Sequence, residues 1–416
     1  MSTPGTDAKS AIEAVWRIEA ARVIAGVARL VGDVGLAEEL AQDALVAALE
    51  QWPAEGVPRN PGAWLMTTAK RRGIDTIRRQ QVLHKHLPAL AGEERLDDPA
   101  LEAVLEQEPI EDDLLRLIFT ACHPVLKPEA RTALTLRLLG GLSTDEIARA
   151  FLVPDATMGQ RISRAKKALT DAKVPFELPT GAARSERLAS VLEVIYLIFN
   201  EGYSATAGDD WMRPALCGEA MRLGRVLAGL MPAEAEVHGL VALLEIQASR
   251  AAARTGPGGE PIMLLDQDRR RWDRLLVTRG LKALERAEEL GGGTYTLQAA
   301  IAACHARART AEETDWSEIA RRYAQLSALA PSPIVELNRA VAVSMADGPA
   351  AGLTVLEPLL RDKALRGYHL LPSVRADFLF RLGRLPEARA EFERAASMTR
   401  NERERTLLRA RAEACG

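Results

Sequence analysis

The sequence predicts an all-α protein with two small helical domains followed by a longer helical-repeat domain. Three observations carry this. The helix formers Ala, Leu, Arg and Glu dominate, and aromatic residues are only 4% of the chain. Strand-type alternation is hard to find, whereas apolar residues recur at helical spacing. At 416 residues and 47% hydrophobic content, the chain has material for two or three cored domains.

The first ten residues, MSTPGTDAKS, contain no apolar signal core. The longest apolar run, VLEVIYLIF, is interrupted by Glu193 and too short to span a bilayer. Cys122, Cys217, Cys304 and Cys415 are scattered, without the CxxC spacing of a zinc site or the pattern of a disulfide framework. The expectation is a cytoplasmic, reduced protein with no membrane contact, no metal and no cofactor.

Residues 11–80 form the first unit, with helix signals over 11–31, 34–51 and 62–79. In the second of these, Ala37, Leu40, Ala41, Ala44 and Ala48 fall on one core-facing stripe, and Glu38, Gln42, Leu45 and Leu49 on another. PAEGVPRNPG (53–62) is rich in Pro and Gly and reads as a loop. In the third helix Met66, Ala69, Gly73, Ile74 and Ile77 share a face, opposite Arg71, Arg72, Asp75, Arg78 and Arg79. Residues 81–110 read as a linker. Charge alternates along this half: bases prevail over 59–79, acids over 93–113, and bases again over 156–170. That pattern suits a chain touching more than one kind of surface.

The second unit, 111–174, contains GLSTDEIARAFLVPDATMGQRISRAKKALT (141–170). Ser143 and Glu146 make an S-x-x-E capping box, with Leu142 and Ile147 at the staple positions, so a helix is expected to start at about 144. Val153-Pro154-Asp155 ends it and restarts the chain, with Asp155 as the cap. In the next helix Met158, Ile162, Ala165 and Leu169 form an apolar stripe. Thr157, Gln160, Arg161, Ser163, Arg164 and Lys167 form the opposite face. Arg can reach guanine O6 and N7, Gln can pair with adenine, and Ser or Thr can hold phosphates. This is the chemistry of a helix-turn-helix that reads duplex DNA.

ELPTGAARS, near 177–185, reads as a boundary, and residues 186–416 as helical, with breaks at 202–209, 256–261, 291–293 and 331–333. RADFLFRLGRLPEARAEFERAAS (375–397) resembles one tetratricopeptide unit, and 337–360 is a weaker version. Helix pairs of this kind must stack to bury their faces. Asn200, Glu201, Gly202 and Tyr203 sit at a helix end and either line a groove or, through Gly202, cap the helix. Asp266, Asp268, Arg269, Arg270, Arg271 and Asp273 make either an ion-pair network or a solvated charge run. The pairs Cys122-His123 and Cys304-His305 invite a metal reading, but adjacent helical side chains diverge by about 100°. No P-loop, HExxH or nucleophile-elbow signature is present, which argues against an enzyme.

The segment LSTDEIARAFLVPDATMGQRISRAKKAL resembles region 4 of extracytoplasmic function (ECF) RNA polymerase sigma factors. Met158, Arg161, Arg164 and Ala165 match the family pattern, whereas Gly159 replaces the usual Lys. DVGLAEELAQDALVAALEQW (33–52) is similar to region 2.2, which docks on the polymerase clamp helices. NPGAWLMTTAKRRGIDTIRR (60–79) is similar to regions 2.3–2.4, which open and read the minus-ten element. There Arg71 stands in place of the usual Asn. LRLIFTACHPVL (115–126), IYLIFNEGYSAT (195–206), LLDQDRRRWDR (264–274), YTLQAAIAACHA (295–306) and SPIVELNRAVAVSM (332–345) look like the ECF subgroup with a tetratricopeptide-like extension.

The resemblance implies a sigma factor regulated by its own C-terminal extension. Its partners would be core RNA polymerase, through clamp helices and flap, promoter DNA, and a small DGPF-type (YCII-related) protein. Glu38, Glu39, Gln42, Asp43, Leu45 and Leu49 would dock on polymerase. Arg59, Asn60, Trp64, Arg71, Arg72, Arg78 and Arg79 would engage the minus-ten element, with the 53–62 loop capturing an unstacked base. Trp64 could instead pack between helices. Thr157, Gln160, Arg161, Ser163, Arg164 and Lys167 would read the minus-thirty-five element. The acidic linker would mimic nucleic acid in the basic channels of polymerase, or simply be solvated. The rival readings are a conventional helix-turn-helix regulator with a sensory repeat domain, and an interaction scaffold or enzyme with solvated basic faces.

Overall fold

The computed structural model describes residues 4–85, 110–151, 153–203, 212–256, 262–399 and 402–416. Among these, every regular element is helical, eighteen α-helices and five short 3₁₀ turns. Of the linker read over 81–110, residues 81–85 and 110 are helical, and 86–109, with parts of the breaks expected at 202–209 and 256–261, lie outside the described residues. Residues 1–197 and 198–416 form two compact units.

The first unit opens with α1 (Pro4–Val31), α2 (Val34–Glu55) and α3 (Pro61–Lys85). The Asp33 side chain accepts from Leu36 N at 2.8 Å and so caps α2. The predicted core stripe of α2 is buried along its length: Ala37, Leu40, Ala41, Ala44 and Ala48. Here the structure corrects one expectation. Pro53 stands inside α2 and does not begin the loop. Buried Trp52 anchors the last turn, and Gly56 N donates to Trp52 O at 2.8 Å, so packing carries the helix past the proline. The connection to α3 shrinks to 56–60. Asn60 accepts from Ala63 N at 3.1 Å at the start of α3.

Then follow α4 (Ile110–Ala121), α5 (Pro128–Leu138), α6 (Thr144–Ala150), α7 (Asp155–Asp171) and α8 (Gly181–Tyr203). The first part of α8 belongs with α4 and α5. Arg187 donates to Phe119 O at 3.0 Å, the Ser190 hydroxyl donates to Cys122 O at 2.6 Å, and Arg131 pairs with Glu193 at 3.1 Å. The division between the units therefore falls inside α8, beyond the break read near 177–185.

The second unit runs through α9 (Pro214–Leu230), α10 (Ala235–Ala248), α11 (Arg274–Glu289), α12 (Thr294–Arg307), α13 (Trp316–Leu329), α14 (Pro333–Ala346), α15 (Pro349–Leu356), α16 (Leu370–Arg381), α17 (Leu385–Met398) and α18 (Glu402–Glu413). Most of these helices pack chiefly on their neighbours in sequence, the pattern of a stacked array. The helix pair read over 375–397 is α16 and α17. Gly383, at φ 75, makes the turn between them, with Arg384 N donating to Leu379 O at 2.9 Å. The weaker pair over 337–360 is α14 and α15.

Two features of this unit differ from the sequence reading. Gly202 is not a helix cap: the helix continues to Tyr203. A Cβ there would lie 2.7 Å from Cys217 N, so glycine is needed for close approach of α8 and α9. The charge run at 266–273 does not form one network. Arg270 pairs locally with Asp268, Asp273 caps α11, and Arg269 is buried, donating to His305 O at 2.5 Å and Ala308 O at 2.8 Å. Arg269 thus satisfies carbonyls at the C-terminus of α12, where the helix dipole favours a cation. Burial, reinforced by Arg250 and Arg269, lowers the His305 pKa to about 4.

Among the described residues no helix is long and apolar enough to cross a membrane, and no three His, Cys, Asp or Glu side chains are placed to hold a metal ion. Cys122 is buried, with its thiol pushed up to about 11 by desolvation.

Candidate nucleic-acid interface

The helix-turn-helix of the first unit is built as its capping residues dictate. The Ser143 side chain accepts from Glu146 N at 3.1 Å, and the Glu146 carboxylate accepts from Ser143 N at 2.8 Å. Ile147, on the first turn of α6, is fully buried. Desolvation works against ionisation of Glu146, but hydrogen bonds from Ser143 and the charge of Arg17 hold its carboxyl below the usual range. Replacing Ser143 by Ala removes one cap acceptor and should cost about 1 kcal/mol. A lower denaturant midpoint for the purified chain checks this.

The next helix, α7, starts differently from expectation. Pro154 occupies the cap position without a side-chain bond, and Asp155 is the first helical residue. There its charge faces the positive helix end, a favourable placement without a capping hydrogen bond. Met158, Ile162, Ala165 and Leu169 are the buried residues of α7, the predicted stripe in full. Thr157, Gln160, Ser163, Arg164 and Lys167 are exposed, and Arg161 is half-buried beside them. All six residues expected to read duplex DNA thus share the outward side of one helix. Lys166 does not join them: it pairs inward with Glu38.

On α3, Arg71, Arg78 and Arg79 are exposed, as is Arg59 in the preceding turn. Arg72 is half-buried and pairs with Asp43 of α2 at 3.3 Å. Asn60 is exposed, with its side-chain oxygen engaged at the start of α3. Trp64 takes the packing alternative. Its half-buried ring meets Trp52 edge-on, with centroids 5.3 Å apart. The basic face of α3 can track phosphates, whereas Trp64 needs to leave Trp52 to stack on a base.

The face of α2 read as a protein-docking surface is present, with one correction. Glu39 and Asp43 are exposed, Gln42 and Leu45 half-buried, and Leu49 is 38% exposed. Val46, 51% exposed, lies among them and escaped the sequence reading. Its signal was available, since 39, 42, 43, 46, 49 and 50 share a helical face. Glu38 is not on this surface. It is 2% exposed and accepts from Arg137 of α5 at 2.6 Å and from Gln42 at 2.5 Å, besides its pair with Lys166 of α7. Its place four residues after Val34 and three before Ala41 puts it in the buried register. A lone carboxylate there is tolerable only because cations meet it.

Further polar contacts join the same segments. The Thr170 hydroxyl donates to Asp33 at 2.7 Å, and Arg17 meets Glu146 at 2.5 Å. Buried Asp113 of α4 lies 3.6 Å from Arg29 and 2.6 Å from Arg116. Burial lowers the pKa of nearby Lys70, partly offset by the charge of Asp113. Apart from the i, i+3 pair Asp113–Arg116, none of these pairings was visible in helical periodicity, which says nothing about partners far apart in the chain.

Comparison with known proteins bears on this geometry. Residues 17–82 match the family described as Sigma-70 region 2, and residues 116–169 match Sigma-70, region 4. Residues 187–288 match a family of unknown function, DUF6596. An uncharacterized protein of Rhizobium meliloti (strain 1021), R00370, is 46% identical over 383 residues, covering 91% of this chain and 89% of that one. The ECF RNA polymerase sigma factor SigW of Bacillus subtilis (strain 168) is 29% identical over 34% of this chain and 77% of its own length. The probable ECF RNA polymerase sigma factor SigI of Mycobacterium tuberculosis is 25% identical over 39% of this chain and 56% of its own length. No solved structure matches.

Proposed function

We propose, from the premise that the chain belongs to the ECF RNA polymerase sigma factors, a division of labour among its surfaces. As a sigma factor it directs core RNA polymerase to promoters. In our reading, Glu39, Gln42, Asp43, Leu45, Val46 and Leu49 of α2 dock on the clamp helices, and the 111–174 domain engages the flap. The basic face of α3, with Arg59, holds the minus-ten element. Thr157, Gln160, Arg161, Ser163, Arg164 and Lys167 read the minus-thirty-five element.

The single observation that carries the assignment of the reading helix is the alignment of these six side chains on the outward side of α7, opposite a fully buried apolar stripe. The order of the region 2 and region 4 matches supports it. We assign the C-terminal unit a controlling role and the protein a cytoplasmic location, and we attribute no chemical catalysis to it. The proposal extends to a small DGPF-type (YCII-related) partner for the C-terminal unit, supported by the subgroup resemblance of the segments at 195–206 and 332–345.

Fluorescence anisotropy on labelled promoter DNA, selected from a random library by the chain with core polymerase, tests the reading. The chain alone should bind weakly and core polymerase should confer tight, salt-sensitive binding. Tight sequence-specific binding without polymerase would instead identify a conventional helix-turn-helix regulator.

A further inference from the structure

We propose that the C-terminal unit carries a binding site for a small oxyanion, a carboxylate or a phosphate, where Tyr203, Arg250, Arg254, Arg269 and Trp272 meet. Its test needs neither polymerase nor promoter, so it stands or falls apart from the sigma-factor reading.

The end of α8 and the charge run at 266–273 come together here. Arg254 lies over the Tyr203 ring, 3.6 Å from its centroid. Arg250 lies 5.9 Å from the same centroid and 5.8 Å from that of Trp272, and Arg269 lies 5.2 Å from Trp272. Three guanidinium groups are thus gathered around two aromatic rings, each attracted to a ring face. Like charges brought this close repel unless anions meet them. The nearby carboxylates are committed elsewhere: Glu201 pairs with Arg213, Asp268 pairs with Arg270, and Asp273 caps α11. Exposed Glu312 and Glu313 act on Arg269 only through space. Among the described residues neither Arg250 nor Arg269 makes an ion pair. The positive field reaches His305, which burial and the charges of Arg250 and Arg269 keep neutral.

Structural duty explains part of this cluster. Arg254 donates to Tyr203 O at the end of α8, and Arg269 to His305 O and Ala308 O at the end of α12. Each helix end offers about half a negative charge. Even three such ends, with that of α10 included, fall short of three whole positive charges. Arg250 serves no carbonyl: its side chain donates to the Tyr203 hydroxyl at 2.7 Å and to the Gln247 amide oxygen. Nor do these duties use every donor. Arg269 Nε and Trp272 Nε1 are buried without a hydrogen-bond partner, as is His305 Nδ1, all on residues at most 9% exposed. A guanidinium Nε and an indole Nε1 can only donate, so the partner they lack is an acceptor. Buried N–H groups left unpaired are costly, and two of them in a field of uncompensated positive charge mark a place for an anionic oxygen.

The half-buried side chains of Tyr203 and Arg250 form the side of the cluster open to solvent. Arg250 is held by a hydroxyl and an amide rather than a carboxylate, so it is the group able to turn onto an incoming anion. Its planar fork matches a carboxylate or a phosphate. Indole NMR of the full-length chain, labelled with nitrogen-15 tryptophan, tests the site. The chain has six tryptophans, and the Trp272 signal is identified by its loss in Trp272→Phe. At constant pH and ionic strength, inorganic phosphate or malonate should shift the Trp272 signal to saturation, and chloride should not. Trp272→Phe keeps the ring and removes only the N–H, and calorimetric titration should show its affinity for the same anion reduced roughly tenfold or more. Arg250→Gln should raise the midpoint of the Trp272 shift by a similar factor.

Saturation by phosphate alone identifies a phosphoryl ligand and saturation by malonate alone a carboxylate; either supports the site. The remaining indole signals report whether each variant keeps its fold. Arg250→Lys guards against a folding defect in Arg250→Gln, because it keeps the charge and loses only the fork. Its midpoint should fall between those of the wild type and Arg250→Gln. A Trp272 signal that moves with neither anion would overturn the proposal. So would a response that is the same in the wild type and in both Arg250 variants, because the cluster would then serve only to hold the helix ends.

Discussion

Replacing Leu45 and Leu49 by Glu should abolish core-polymerase binding while leaving the helical fold in place. Leu49 is 38% exposed, Leu45 half-buried, and Val46 between them 51% exposed. Together they form an apolar strip edged by Glu39, Asp43 and Glu50. Apolar anchors at the centre of an interface each contribute about 2 kcal/mol or more, and a double loss of about 4 kcal/mol is roughly a thousandfold in affinity. The new carboxylates add the cost of burying charge against an apolar partner. Surface plasmon resonance with immobilised core polymerase measures the effect, and circular dichroism checks the fold. A folded variant that binds normally would remove the docking assignment from α2.

Replacing Arg161 and Arg164 by Ala should have the complementary effect. Polymerase binding stays, and promoter-specific transcription falls. Arg164 is exposed and Arg161 half-buried on the outward side of α7, whose opposite side is the buried Met158, Ile162, Ala165 and Leu169 stripe. Each good bidentate contact with a base is worth about 1–3 kcal/mol, so losing two should cost about thirtyfold to well over a thousandfold. Competition between the selected promoter and unrelated DNA separates this from a general loss of phosphate contacts. Unchanged discrimination would mean that another face of α7 reads the DNA.

The two substitutions also mark how far the sequence could be read. The helix-turn-helix of α6 and α7 was legible because its determinants are local: an S-x-x-E box, a proline stop and a stripe at i, i+4, i+7 and i+11. The core stripe of α2 was legible for the same reason. Glu38 was misplaced because its fate is decided by Arg137 and Lys166, about a hundred residues or more away in the chain. Trp64 was left open between two roles, and tertiary contact with Trp52 decides its place in the free protein.

In the second unit, local logic failed where long-range caps took over. Glu236 on α10 accepts from Tyr295 N at 2.7 Å and Thr296 N at 3.0 Å, capping α12 across nearly sixty residues. Arg269 satisfies carbonyls at the other end of that helix. Neither role leaves a trace in periodicity. Gly202 looked like a helix terminator because glycine serves both as a cap and as a place for close packing, and only the position of Cys217 tells them apart.

Run-off transcription with purified core RNA polymerase shows whether this chain directs polymerase to promoters. The template is a linear promoter selected by the chain together with polymerase. A discrete transcript is expected that requires both the full-length chain and the promoter, and that is lost in the Arg161→Ala/Arg164→Ala variant. No transcript, together with no binding of the chain to core polymerase, would contradict it.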